Sequence, residues 1–148
     1  MPAPVIEWYE STEAEAPLTS WDYGIVDEGT TSSVKKFFVY NNKGGSEGVS
    51  AATDLRYTAY DDAEKNEEGD VVTEKWLEVQ LVSVNGTPPD PADAFEGVGG
   101  SNDANKKDWT SEQIAEGEYL EVDTRVAIPQ DPDAGQRSFV QTLEYKYT

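Results

Sequence analysis

An all-β, antiparallel sandwich of about seven strands is the fold this sequence predicts. Short runs rich in Val, Tyr, Phe, Trp and Thr recur between clusters of Gly, Pro, Asn and Asp, and helical periodicity is nearly absent. Two of the runs alternate apolar and polar residues with the period of a half-buried strand. The chain has 148 residues, 36% of them hydrophobic and 11% aromatic. That is the size of one domain, with enough apolar material for one core, so residues 1–148 are read as a single unit.

The strands are expected at Val5 to Tyr9, Trp21 to Val26, Val34 to Tyr40, Asp54 to Tyr60, Val72 to Val84, Tyr119 to Ile128 and Ser138 to Tyr147. In the sixth run Leu120, Val122, Thr124, Val126 and Ile128 share the face expected to meet the core, opposite Glu121, Asp123 and Arg125. In the fifth, Leu77, Val79 and Leu81 alternate with Glu78 and Gln80. Phe139, Leu143, Tyr145 and Tyr147 share a parity in the last. A single helical turn is expected at Thr110 to Ala115, between the Thr110-Ser111-Glu112 start and the Gly117 stop. Residues 1–17 read as an N-terminal arm. Residues 85–109, rich in Gly, Pro, Asp and Asn, read as one long loop and a candidate contact arm. Within it, Asn85-Gly86-Thr87 matches a glycosylation acceptor but reads as turn chemistry.

Composition narrows the function. Thirty acidic against eleven basic residues leave a net charge of -19. Such a field repels nucleic acid and anionic membranes, which need Lys and Arg clusters; neither is an expected partner. The chain has no Cys and no His, which removes thiol and Ser-His-Asp catalysis and Cys/His zinc sites. No cofactor and no catalytic residue is expected, and the reading is non-enzymatic. Residues 1–30 lack a basic stretch followed by an apolar one, and no apolar run reaches membrane-span length, so synthesis in a cytoplasm without a signal peptide is expected.

Asp61 to Asp70 gathers six carboxylates and could in principle take calcium. It lacks the spacing of a helix-loop-helix calcium site, and the stronger reading is an exposed polar hairpin. The same holds for Asn102-Asp103-Ala104-Asn105 and Asp131-Pro132-Asp133, and no metal site is expected. Among thirty acids some pair will meet any glycosidase spacing by chance. The aromatics are more informative. Trp8, Tyr9, Trp21, Tyr23, Trp76 and Trp109 cannot all fill one small core, and some should lie at a contact surface. If Phe37 and Val39 point inward, alternation turns Phe38 and Tyr40 outward. The expected partner-binding set is therefore Trp8, Tyr9, Trp21, Phe38, Tyr40 and Trp109.

The stretch Trp21-Asp22-Tyr23-Gly24-Ile25-Val26-Asp27-Glu28-Gly29-Thr30, with Phe37-Phe38-Val39-Tyr40-Asn41-Asn42-Lys43-Gly44-Gly45, resembles a signature of immunoglobulin-like domains related to the major sperm protein and Hydin-type modules. Val126-Ala127-Ile128-Pro129 followed by Ala134-Gly135 resembles the corner before the last strand of the same class. The resemblance implies an immunoglobulin-like sandwich, with Asn41 satisfying turn backbone groups. The opening Met1-Pro2-Ala3-Pro4-Val5-Ile6-Glu7-Trp8-Tyr9 also resembles the start of small structural proteins encoded among siphophage head and tail genes. This implies a bacteriophage virion protein, expected as a capsid decoration subunit, homo-oligomeric as a trimer matching local capsid symmetry, that binds the major capsid protein or another virion protein. The alternatives are a tail or baseplate component or carbohydrate-binding module gripping glycans through exposed aromatics, and a cellular adhesion or scaffolding domain.

Overall fold

A strand that alternates polar and apolar residues can dry one face only by packing that face on another layer. The computed structural model, which describes residues 2–130 and 135–148, packs two antiparallel sheets in this way. Its strands are β1 (Ile6–Tyr9), β2 (Lys35–Asn41), β3 (Thr53–Tyr60), β4 (Leu77–Val84), β5 (Glu96–Val98), β6 (Lys107–Trp109), β7 (Tyr119–Val126) and β8 (Val140–Lys146). The larger sheet has the order β1-β2-β7-β4-β5 and the smaller β6-β3-β8. The chain is an all-β sandwich. Asp131-Pro132-Asp133 and Ala134 lie outside the described residues.

The core follows the alternation. Val39 from β2, Leu77, Val79 and Leu81 from β4, and Leu120 and Val122 from β7 face Leu55, Tyr57 and Ala59 of β3, Leu143 of β8 and Trp109 of β6. Phe37 pairs across from Val122 and Val39 from Leu120, all four pointing inward. Register between β4 and β7 shifts between Leu81 and Ser83. This bulge turns Ser83 outward, where its hydroxyl donates to Glu121 at 2.8 Å, and returns Val84 to the core. Asn41 is fully buried. Its side-chain oxygen accepts from Val5 N (3.0 Å), and its amide donates to the Ser50 and Ile114 carbonyls (3.0 and 3.1 Å), tying three loops at one end of the sandwich. Asn85-Gly86 makes the β4 turn, both residues at positive φ (49° and 89°) with reciprocal bonds between Val84 and Thr87, as the two-residue hairpin requires.

Five expectations are corrected. Thr110 to Ala115 is not helical: Asp108 Oδ1 accepts from both Thr110 N and Thr110 Oγ1, and Ile114 exchanges two backbone bonds with Ala52. The helical turn is instead α1 (Asp70–Thr73), which takes the first two residues of the run expected to be one long strand from Val72 to Val84. Positive φ at Lys75 (54°) separates it from β4. α1 is held by burial of Val71 and Val72 and by close approach of the chain at Gly99, where a Cβ would come within 2.3 Å of the Val72 carbonyl oxygen. Trp21 to Val26 is no strand. Residues 85–109 are not one open loop but carry β5, the 3-10 turn Asp103–Asn105 and β6. The N-terminal segment is likewise part of the sheet, through β1 and a backbone bond from Leu18 N to Trp8 O.

Candidate functional site

β8 is a terminal strand of the smaller sheet, bonded to β3 alone among the described residues. Residues 18–28, arriving from β1, run over the gap between this strand and the larger sheet. Beneath them lies an open cleft of about 1220 Å³. Trp8 lines it from β1, Val126 and Ile128 from the end of β7, Phe139, Val140 and Gln141 from β8 and the residue before it, and Val71 and Trp76 from α1 and beyond, with Trp21 and Tyr23 on the covering segment.

One continuous chain of hydrogen bonds joins its lining residues Trp8, Trp21, Tyr23 and Gln141 to the buried Tyr57 and Thr124 beneath. Trp8 Nε1 donates to Tyr57 Oη (2.9 Å), and Tyr57 Oη donates to Gln141 Oε1 (2.6 Å). Gln141 Nε2 donates to Tyr23 Oη (2.7 Å), which also receives Trp21 Nε1 (3.3 Å). Tyr23 Oη lies 2.6 Å from Thr124 Oγ1, whose own hydroxyl donates to the Lys35 carbonyl (3.0 Å); Tyr23 is therefore the donor of that pair. Burial pushes the Tyr23 phenol above its usual value, although the contacts with Thr124, Gln141 and Trp21 work the other way. Burial raises Tyr57 further. The relay is thus neutral and its hydrogens have acceptors, which suits holding a shape and not moving protons.

Charge is confined to the edges. Arg137 grips Asp70 with two parallel bonds of 2.8 Å and lies over the Trp76 ring at 5.5 Å. This contact holds the Asp70 carboxyl below its usual value. Asp22, Asp27 and Glu28 stand exposed on the covering segment.

The six residues expected to bind a partner fall in three places. Trp8 and Trp21 meet at the cleft, Trp21 packed on Phe37 with ring centroids 4.3 Å apart. Tyr9, Phe38 and Tyr40 share the outer face of the larger sheet, as the parity argument expects. They do not stand bare, however: Tyr40 is 7% and Tyr9 5% exposed. Their rings pack on one another and on Tyr119 at 5.1–5.5 Å, and Lys43 caps both Tyr9 and Tyr40. Trp109 is a core residue, 3% exposed, and offers no surface to a partner. The expectation missed Phe139, Gln141 and the Asp70–Arg137 pair. The parity of Phe139 with Leu143 was the only signal pointing to this group.

The acidic loops spend their carboxylates on backbone. Asp61 accepts from Glu68 N and Gly69 N, Asp62 from Glu64 N and Asn66 N, and Glu67 from Ser101. Asn102 caps the 3-10 turn. Among the described residues no group of three or more acidic side chains is arranged to hold a metal ion, and no helix is long and apolar enough to cross a membrane. Set against known proteins, the chain matches no family model and no curated sequence.

Proposed function

We propose that this protein is a non-enzymatic structural subunit of a bacteriophage particle, a capsid decoration protein that binds the assembled head. The observation that carries the binding role is the cleft beside β8. It is the kind of concave, aromatic-lined surface that recognises a partner, and the relay beneath it is a neutral Tyr-Gln-Tyr-Thr chain without an acid, a base or a nucleophile activated by one. The particle as the place of action rests on the resemblance of the opening residues and of the Trp21 to Gly45 stretch. Homo-oligomerisation, as a trimer matched to local capsid symmetry, belongs to the same reading, with the major capsid protein as partner.

The test is cosedimentation with purified heads of the encoding phage, alongside unassembled capsid protein. Binding to assembled heads alone is expected, and heads that leave the protein in the supernatant overturn the reading. The rings of Trp8 and Trp21 at the cleft favour one alternative, glycan recognition in a tail or baseplate protein. Glycan-array binding lost on Trp21→Ala, without head binding, would select it.

A further inference from the structure

We propose that the free edge of β8 is a strand-addition site. It takes an extended segment of a partner protein that is apolar at alternate positions and carries Lys or Arg at its ends. The inference rests on the reading of this chain as a binding subunit and specifies the contact.

Four observations lead to it. β8 is hydrogen-bonded on one side only among the described residues, and a sheet edge of this kind presents a row of main-chain donors and acceptors to an incoming strand. The position beside it is not taken by the chain's own covering segment: residues 19–26 make no backbone–backbone hydrogen bond with any described residue, and the segment is fastened through the side chain of Tyr23, stacked on Phe139 and bonded to Gln141. The cleft, at about 1220 Å³, exceeds the roughly 300–1,000 Å³ of small-molecule pockets, while Trp76, Val126 and Phe139 give it an apolar lining suited to alternate side chains of a strand. Finally, Asp22, Asp27 and Glu28 stand exposed on its rim, on a chain of net charge -19. At this rim the field favours a basic occupant over the equally acidic rim of a second copy, and leaves contacts between copies to other faces.

The probes are three synthetic peptides: alternating Val and Thr with a Lys pair at each end, the same core with Glu pairs, and the Lys version with Pro at alternate positions. Hydrogen exchange at Val140 to Lys146 and tryptophan fluorescence are the readouts. The Lys peptide should slow exchange of the outward amides of β8 about tenfold or more. The Glu and Pro peptides should not. The variant D22K/D27K/E28K, altered only at exposed positions, should bind the Lys peptide about tenfold more weakly. Binding without protection of β8, equal binding of the Pro peptide, or self-association through β8 without peptide overturns the proposal. If the variant still binds heads as the parent does while the Lys peptide leaves β8 unprotected, the subunit reading stands and strand addition falls. If the peptide adds to β8 and heads are not bound, the site stands and the subunit reading falls.

Discussion

Residues 19–28 and residues 86–109 invert each other's sequence signals. The first stretch alternates Trp21, Tyr23 and Ile25 with smaller or charged residues, yet has no backbone partner over residues 19–26 among the described residues and leaves Ile25 100% exposed. The second is rich in Gly, Pro and Asp, yet holds two strands and an ion pair between the buried Lys107 and the half-buried Asp93. The difference lies at Asp93. Its carboxylate accepts from Leu81 N (2.8 Å) and Trp109 Nε1 (3.1 Å) and pairs with Lys107 Nζ (2.9 Å), while its carbonyl receives Gln80 Nε2. One acid thus ties β4, β6 and the loop together. Among the described residues the covering segment has only the Tyr23 hydroxyl in a comparable role. A segment's order is set here by how many buried polar groups depend on it, more than by its own strand preference.

Replacing Asp93 by Ala should therefore be the most damaging change. It leaves Lys107, whose side chain is 7% exposed, without its closest carboxylate, and strips acceptors from Leu81 N and Trp109 Nε1. A loss of about 3–5 kcal/mol is expected, measured by urea denaturation. A loss below about 1 kcal/mol would break the comparison.

Acid should act in the same place with a smaller effect. Burial alone raises the Asp93 carboxyl, but Lys107 and the donors from Leu81 and Trp109 outweigh it and hold the group below its usual value. The folded chain therefore takes up this proton less readily than the unfolded one. Its stabilisation is complete above the unfolded value of about 3.9 and is lost as pH falls through the lower folded value. Asp93→Asn should lose less stability than the parent between about pH 6 and pH 3, and an identical decline would assign acid sensitivity to other carboxylates.

Tyr23→Phe tests the other segment. It removes the hydroxyl that serves Thr124, Gln141 and Trp21, and about 1–2 kcal/mol is expected, less than at Asp93. An equal loss would mean the covering segment is as deeply built in as the loop. Ile25→Ser, at a fully exposed side chain, should change stability by less than about 0.5 kcal/mol. A larger loss would show that Ile25 is covered in solution.

Sidedness was legible wherever a strand is packed on one face. Leu77, Val79 and Leu81, and Leu120, Val122, Thr124 and Val126, all point inward as their alternation predicts. In β2 Phe37 and Val39 point inward, and alternation then puts Phe38 and Tyr40 on the far side. Trp109 misled because it stands beside a loop in sequence; its indole is drawn inward by Asp93 and the Tyr57 ring, 5.5 Å away between centroids. α1 was hidden because Val71, Val72 and Thr73 are β-branched residues of strand preference, and short apolar runs do not distinguish strand from helical turn.

By itself, then, the sequence determined the all-β class, the inward faces of β4 and β7 and the Asn85-Gly86 turn, because side-chain alternation and left-handed turn geometry are properties of a few neighbouring residues. Tertiary structure alone decided which strands are neighbours, that β8 ends its sheet, and that Tyr23 reaches Thr124 and Gln141 from 101 and 118 residues away in the chain. The cleft arises from those distant contacts. A hydrogen bond or a buried surface needs a partner, and here the partners lie far along the chain, where no local pattern records them.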